Sequence, residues 1–148
     1  MKKLVFVLLM TLGSFGMLQA QSIQSGIMSY LKSEGYLPSY DGDGDIQFKK
    51  EGCFYYVIVK DIDEGYSYVE VRVPFSVTDM SLSELQQIAS EINTGKYLCK
   101  CSAHANNNGG NTFQISMEFV VSTDAQARYQ MGHALRLMPK WIEAFEAY

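Results

Sequence analysis

The stretch that decides the fold is "CFYYVIVKDIDEGYSYVEVRVPF", which spans residues 53–75. Residues 53–59 are apolar at consecutive positions, which is typical of a strand inside a sheet with both faces covered or partly covered. Residues 66–75 alternate valines with polar side chains, as in a strand that buries one face. The acidic, glycine-containing turn at residues 63–65 predicts that the two strands form an antiparallel hairpin.

Three further strands extend this hairpin in both directions along the chain. Before it, residues 45–50 alternate apolar and polar side chains and end in a tight turn at residues 51–52. After it, residues 96–104 and 112–121 have the same strand character, and the polar loop "ANNNGGN" joins them. The sequence therefore predicts five antiparallel strands.

Two shorter helices are predicted around these strands. Residues 22–34 carry apolar side chains at i, i+4, i+7 and i+8, and Gly35 ends the pattern. A second helix begins at Ser81, because Ser81 and Glu84 have the spacing of a capping box, in which each satisfies a free amide at the helix start. Gly95 ends this second helix.

The longest helix is predicted for residues 124–148. Its apolar stripe has strict 4-3 spacing and consists of Ala127, Met131, Ala134, Met138, Trp141, Phe145 and Tyr148. Pro139 removes one backbone donor, so we expect a bend or break there, with the last turns projecting beyond the core. Met138, Trp141 and Phe145 are then the candidate interface residues, the alternative being ordinary packing on the sheet.

The N-terminus predicts export. Lys2 and Lys3 precede an apolar run, and small or neutral residues precede a cleavage site after Ala20. We expect a signal peptide at residues 1–20 and one mature domain at residues 21–148, periplasmic or secreted, with no membrane insertion after cleavage.

The predicted elements have the order α-β-β-β-α-β-β-α, a single α+β domain with an antiparallel five-stranded sheet packed with helices. In this order the chain resembles the YbjN family, which is related by fold to the type III secretion chaperones. The resemblance is carried by residues 30–52, 81–93 and 134–145, each a pattern of helix, turn and strand rather than a catalytic signature. It implies this fold and a habit of binding protein segments.

The net charge and the composition of the chain indicate which class of molecule it binds. The formal net charge is −4, and it becomes −6 when Lys2 and Lys3 leave with the signal peptide. An acidic chain without a run of Lys or Arg lacks the clustered basic face that phosphate binding needs. We expect that the chain does not bind nucleic acid and that its partner is a protein or peptide, with a second copy of the chain as one candidate.

The acidic stretch at Asp41, Asp43 and Asp45 copies the opening of an EF-hand calcium loop. Such a loop needs glycine at its sixth place and glutamate at its twelfth, and these places hold Ile46 and Gly52. The spacing therefore favours a structural turn before a strand, with a weak, noncanonical cation site as the alternative. We predict no metal site.

The three cysteines, Cys53, Cys99 and Cys101, leave three interpretations open. They are buried free thiols, or Cys53 forms a disulfide with Cys99 or Cys101, or they take part in metal or redox chemistry. Cys99 and Cys101 are predicted not to bridge each other, because same-face neighbours on one strand lie about 6 to 7 Å apart.

No catalytic signature is visible in the sequence. His104 and His133 have no partner residues at the spacing of a known motif, and Glu70 and Glu118 are strand carboxylates that can face a cleft. We expect no enzyme activity and no cofactor. The sequence favours an exported, non-catalytic protein-binding domain, chaperone-like or adaptor, and the alternative is a small-ligand-binding or inhibitor domain of the cell envelope.

Overall fold

A computed structural model describes residues 19–63 and 65–148. Residues 1–18 of the predicted signal peptide lie outside the described residues, so the predicted cleavage stays a prediction. Within the described residues, no helix has the length and apolar character needed to cross a membrane.

The described residues form an α+β domain with one antiparallel sheet. The strands are β1 (Ser39–Tyr40), β2 (Ile46–Lys50), β3 (Cys53–Asp63), β4 (Tyr66–Val77), β5 (Lys100–Ala105) and β6 (Asn111–Val121). The helices are α1 (residues 19–33), α2 (Leu82–Gly95) and α3 (Asp124–Glu146). The strand order is β1-β2-β3-β4-β6-β5. The predicted fold class is confirmed, with one correction: the short β1 pairs with β2 across the acidic turn and makes six strands.

All three helices contribute to one core on one side of the sheet. The strand side chains that point to this side are apolar and buried, and they include Ile46, Phe48, Tyr55, Val57, Val69, Val71, Val73, Phe113, Ile115 and Met117. The ring of Phe113 on β6 stacks on that of Phe145 on α3, with centroids 4.0 Å apart and planes 3° apart. The predicted alternation of β4 is confirmed.

The predicted start of α2 is confirmed in its hydrogen bonds. The Glu84 backbone N–H donates to Ser81 Oγ at 3.3 Å, and the Ser81 backbone N–H donates to Glu84 Oε2 at 2.8 Å. These two bonds satisfy amides that have no partner within the helix.

Of the bend or break predicted at Pro139, the break is wrong, because α3 runs without interruption to Glu146, and the bend stays a prediction. Met138 and Trp141, on either side of the proline, are buried against the sheet. Tertiary packing of an apolar stripe stabilises a helix more than one missing backbone bond weakens it. Tyr148, the last residue of the predicted stripe, lies beyond the helix end and is exposed, and its hydroxyl donates to Glu91 Oε2 at 2.7 Å.

The first and last helices approach each other closely at Gly26 of α1. A Cβ atom at Gly26 would lie 1.6 Å from Asp124 Oδ1, so a side chain at this position does not fit without a shift. The other carboxylate oxygen, Asp124 Oδ2, accepts from Arg128 Nε at 2.7 Å. A side chain at position 26 would therefore force the Asp124 carboxylate to move.

Candidate functional site

Among residues 19–63 and 65–148, no helix packs on one of the two faces of the sheet. Successive side chains of a strand point to opposite faces, so the neighbours of the core residues lie on this second face. We call it the open face; it consists of Tyr56, Ile58, Lys60, Tyr68, Glu70, Arg72, Pro74, Gln114, Ser116, Glu118, Lys100, Ser102 and His104. Aromatic, charged and amide side chains dominate it, in contrast to the core.

Two carboxylates stand opposite each other in the middle of the open face. Glu70 on β4 and Glu118 on β6 are direct register partners. Gln114 Nε2 donates to Glu70 Oε1 at 3.0 Å, and Lys100 Nζ pairs with Glu118 Oε1 at 2.5 Å. Burial raises the pKa of Tyr68 beside them, and the Glu70 charge and a hydrogen bond with Glu118 raise this pKa further. The two carboxylates singled out in the sequence are thus brought together, each with its own partner.

Arg72 lies next to this pair and is half-buried. Within residues 19–63 and 65–148 it makes no hydrogen bond and no ion pair, although its charge acts on Asp45 and Tyr68. It lines an open depression of about 340 Å³. The other lining residues are Asp41, Asp43, Tyr56, Pro74, His104, Thr112 and Gln114. The donors of this guanidinium are therefore not used by any hydrogen bond within the described residues.

The acidic turn forms part of the rim of this depression. Asp41 Oδ1 accepts hydrogen bonds from the backbone N–H groups of Asp43, at 3.0 Å, and Asp45, at 2.9 Å. Gly44 has a φ of +87°, in the left-handed region that favours glycine. Burial raises the pKa of Asp45, and the Asp41 charge adds to this rise. The predicted structural turn is confirmed, and one carboxylate of the three is engaged in building it.

The candidate interface residues of the last helix lie elsewhere. Met138, Trp141 and Phe145 are 0%, 3% and 9% exposed, and they pack into the core on the helical side of the sheet. The projection of these side chains beyond the core was wrong for the free chain, because α3 lies on the sheet along this whole stretch. A binding role for them stays a prediction.

The cysteines are free thiols, and two of them are close neighbours. Cys99 precedes β5 rather than lying in it, because Leu98 adopts a left-handed conformation with a φ of +62°. The sulfurs of Cys99 and Cys101 are 3.6 Å apart as a result. The predicted 6 to 7 Å is the spacing of two same-face residues along a regular strand, whereas 3.6 Å separates the two sulfurs, which are not bonded to each other.

Arg72 is the functional candidate that the sequence did not single out. The signal was present in "YSYVEVRVPF", where Glu70 and Arg72 share the polar side of an alternating strand. The alternation of residue types identifies the polar face of the strand. Whether Arg72 finds a hydrogen-bond partner there depends on the side chains of the neighbouring strands, which the alternation does not give.

Comparison with known proteins supports the fold. No family model and no curated protein sequence matches the chain. The crystal structure of YbjN from E. coli, for which a role as a transcription regulator has been suggested, matches with a TM-score of 0.65 and 12% identity. The match covers 83% of this chain and 90% of that one. An uncharacterized protein from Methanothermobacter thermautotrophicus matches with a TM-score of 0.53 and 10% identity, over 85% of this chain and 99% of that one. The chain has a YbjN-like fold.

Proposed function

We propose that this protein is an exported, non-catalytic protein-binding domain, chaperone-like or adaptor, that holds an extended polypeptide segment on its open face. The observation that carries the proposal is Arg72, a half-buried guanidinium on the open face of the sheet. Among the described residues it has no hydrogen-bond partner, and no described helix covers this face.

The chemistry of Arg72 favours a carboxylate from the partner. A guanidinium presents a planar set of donors that fits a carboxylate with two parallel hydrogen bonds. Gln114 and Thr112 add polar groups beside it, and Tyr56 adds an aromatic ring. We infer that the bound segment places an acidic side chain, or its C-terminal carboxylate, on Arg72.

The rim of the depression suggests what lies next to that carboxylate. Asp43 is exposed and accepts no hydrogen bond within the described part of the chain, whereas Asp41 holds the turn. A basic side chain one or two positions along the segment would meet Asp43. Charge complementarity of this kind gives specificity and register more than affinity.

The shape of the site favours a polypeptide over a small molecule. Small-molecule sites are concave and enclose most of their ligand. The depression around Arg72 is open to solvent and continuous with the aromatic and charged side chains of β3, β4 and β6. The alternative, a small-ligand or inhibitor domain, gains no support from this geometry.

A capture experiment with matched arginine variants tests the proposal. The purified protein, Arg72→Ala and Arg128→Ala serve as baits in cell-envelope extract, and bound polypeptides are quantified by mass spectrometry. Arg128 is the control because it is also an arginine, lies on the helical side and already pairs with Asp124.

We expect recovery of the specific partner to fall about tenfold or more with Arg72→Ala, because a desolvated charge pair is lost. Arg128→Ala should recover as much as the unmodified protein. Melting curves establish that each bait is folded, and equal recovery by the two variants would refute the role of the open face.

A further inference from the structure

Two thiols of unequal exposure lie side by side at the start of β5. Cys99 Sγ and Cys101 Sγ are 3.6 Å apart and share a hydrogen bond. Cys99 is partly exposed, whereas Cys101 is only 6% exposed. Cys99 is therefore the more exposed residue of the two, and its sulfur lies beside the sulfur of the buried Cys101.

The chain holds this arrangement by specific contacts. Asn93 Oδ1 accepts from the Cys101 backbone N–H at 2.6 Å, and Asn93 Nδ2 donates to the Cys101 carbonyl at 3.0 Å. Leu98 has a φ of +62°, a conformation that costs a bulky residue about 1 to 3 kcal/mol and persists only where the surroundings impose it. The short loop after α2 thus turns Cys99 back toward a fixed Cys101.

We propose that Cys99 and Cys101 form a thiol–disulfide exchange site, in which Cys99 attacks an external disulfide and Cys101 resolves the mixed disulfide. This activity is separate from polypeptide binding on the open face. It consumes one dithiol per exchange and needs no further cofactor.

The exchange proceeds in two steps, each of which forms one sulfur–sulfur bond and breaks another. The Cys99 thiolate attacks one sulfur of the substrate disulfide, a Cys99–substrate mixed disulfide forms, and the other substrate sulfur leaves as a thiolate. Cys101 then loses its proton and attacks the Cys99 sulfur, so that a Cys99–Cys101 disulfide forms and the second substrate thiolate leaves. The dithiol loses two electrons and two protons, and the substrate disulfide gains them as two thiols.

The electrostatic surroundings agree with the roles of the two sulfurs. The hydrogen bond from Cys101 lowers the pKa of Cys99, and the Lys96 charge lowers it further against the effect of burial. The same hydrogen bond and burial raise the pKa of Cys101. Burial raises the pKa of Cys53, with help from acidic neighbours. Because the thiolate is the nucleophile, Cys99 should react before the other two cysteines.

The residues before Cys99 indicate where a substrate would touch the chain. Tyr97 and Leu98 are 94% and 66% exposed, and both precede the attacking thiol directly. A disulfide carried by a polypeptide can contact these apolar side chains, whereas glutathione disulfide is too small and polar to depend on them. Substrates of both kinds share the same disulfide chemistry.

The first experiment treats the reduced protein with glutathione disulfide, traps free thiols by alkylation, and maps peptides without reduction. We expect a Cys99–Cys101 link with Cys53 left alkylated. Cys101→Ser, or Cys101→Ala as a second variant, should stop at glutathione on Cys99. Cys99→Ser should slow modification about tenfold or more, since the remaining thiols are less reactive. Cys53→Ser is the matched control and should change nothing.

The proposal is overturned if the unmodified protein forms no Cys99–Cys101 link, if Cys53 forms the link, or if Cys53 and Cys99 react at equal rates. A second arm compares glutathione disulfide with a peptide that contains an internal disulfide. Slower exchange of Tyr97→Ser with the peptide alone would identify a polypeptide substrate, and unchanged exchange with both would identify a small one; either result supports the exchange site.

Discussion

The two faces of one sheet differ in how much their side chains contribute to stability. On β4, Val71 points to the helices and is fully buried, whereas its neighbour Arg72 points to the open face and makes no hydrogen bond or ion pair with the described residues. Burial of a valine or leucine side chain contributes about 1.5 to 3 kcal/mol, while an exposed ion pair contributes about 0 to 1 kcal/mol. The buried side chains of the helical side therefore supply most of the stability, and the polar pairs of the open face add little to it.

Removal of a large core side chain should have the strongest effect. Trp141→Ala deletes an indole that is almost fully buried, and we expect a loss of about 3 to 5 kcal/mol in the free energy of unfolding, measured by denaturant titration. Tyr129→Ala on the same helix removes an exposed aromatic ring and should change stability by less than about 0.5 kcal/mol.

A Trp141→Ala variant as stable as the unmodified protein would contradict the division between the two faces. It would also restore the hypothesis that the end of α3 is an interface. Trp141→Phe, which keeps an aromatic ring, separates loss of volume from loss of a specific contact.

A methyl group between the first and last helices should have an intermediate effect. Gly26→Ala places its Cβ on the Asp124 carboxylate, and we expect a loss of about 1 to 3 kcal/mol, the usual cost of overpacking. Gly42→Ala is the control, because no atom lies within 4 Å of the added Cβ and the residue is in an exposed turn. Thermal melting measures both.

Removal of Asp124 in the same chain sharpens this test. In the Gly26→Ala/Asp124→Ala double variant the clash is absent, so the two substitutions should cost less together than the sum of their separate effects. Strict additivity would show that the close approach of α1 and α3 does not limit stability.

The smallest effect is expected at the rim of the open face. Asp41→Ala removes the acceptor of two backbone N–H groups, and we expect a loss of about 1 kcal/mol in the free energy of unfolding. Asp43→Ala removes a carboxylate that accepts no such bond within the described residues, and it should be close to neutral. The opposite order would mean that the turn is held by something other than the Asp41 cap.

Most of the fold could be predicted from the sequence, because hydrophobic periodicity is repeated over long segments. The alternating valines of β4, the capping box at Ser81 and the stripe of α3 each carry several residues of signal. The strand β1 could not be predicted, because its two residues are too few to show an alternation of apolar and polar side chains. Pro139 predicted a break that α3 does not have, because the packing of its neighbours on the sheet outweighs the loss of one backbone N–H donor. That packing is not a local property of the sequence.

The candidate site could be predicted only in part. The sequence identified Glu70 and Glu118 as strand carboxylates, but their opposition depends on the register of β4 with β6, two strands that are not adjacent in the chain. The approach of Cys99 to Cys101 depends on a left-handed Leu98, and leucine gives no sequence sign of that conformation. A pattern of residue types does not predict a site that depends on the pairing register of two strands or on a strained backbone conformation.

The side-chain amide of Asn93 affects whether a second molecule can add a strand to the edge of the sheet. An edge strand exposes backbone donors and acceptors that invite a strand from another molecule. At Cys101, on the outer edge of the sheet, one side-chain amide already supplies both the acceptor and the donor that such a strand would offer. A strand from a second chain would have to displace two hydrogen bonds, each worth about 0.5 to 1.5 kcal/mol, to pair there. A helix side chain thus protects this part of the edge against fibre-like growth, and assembly by strand addition at Cys101 is disfavoured.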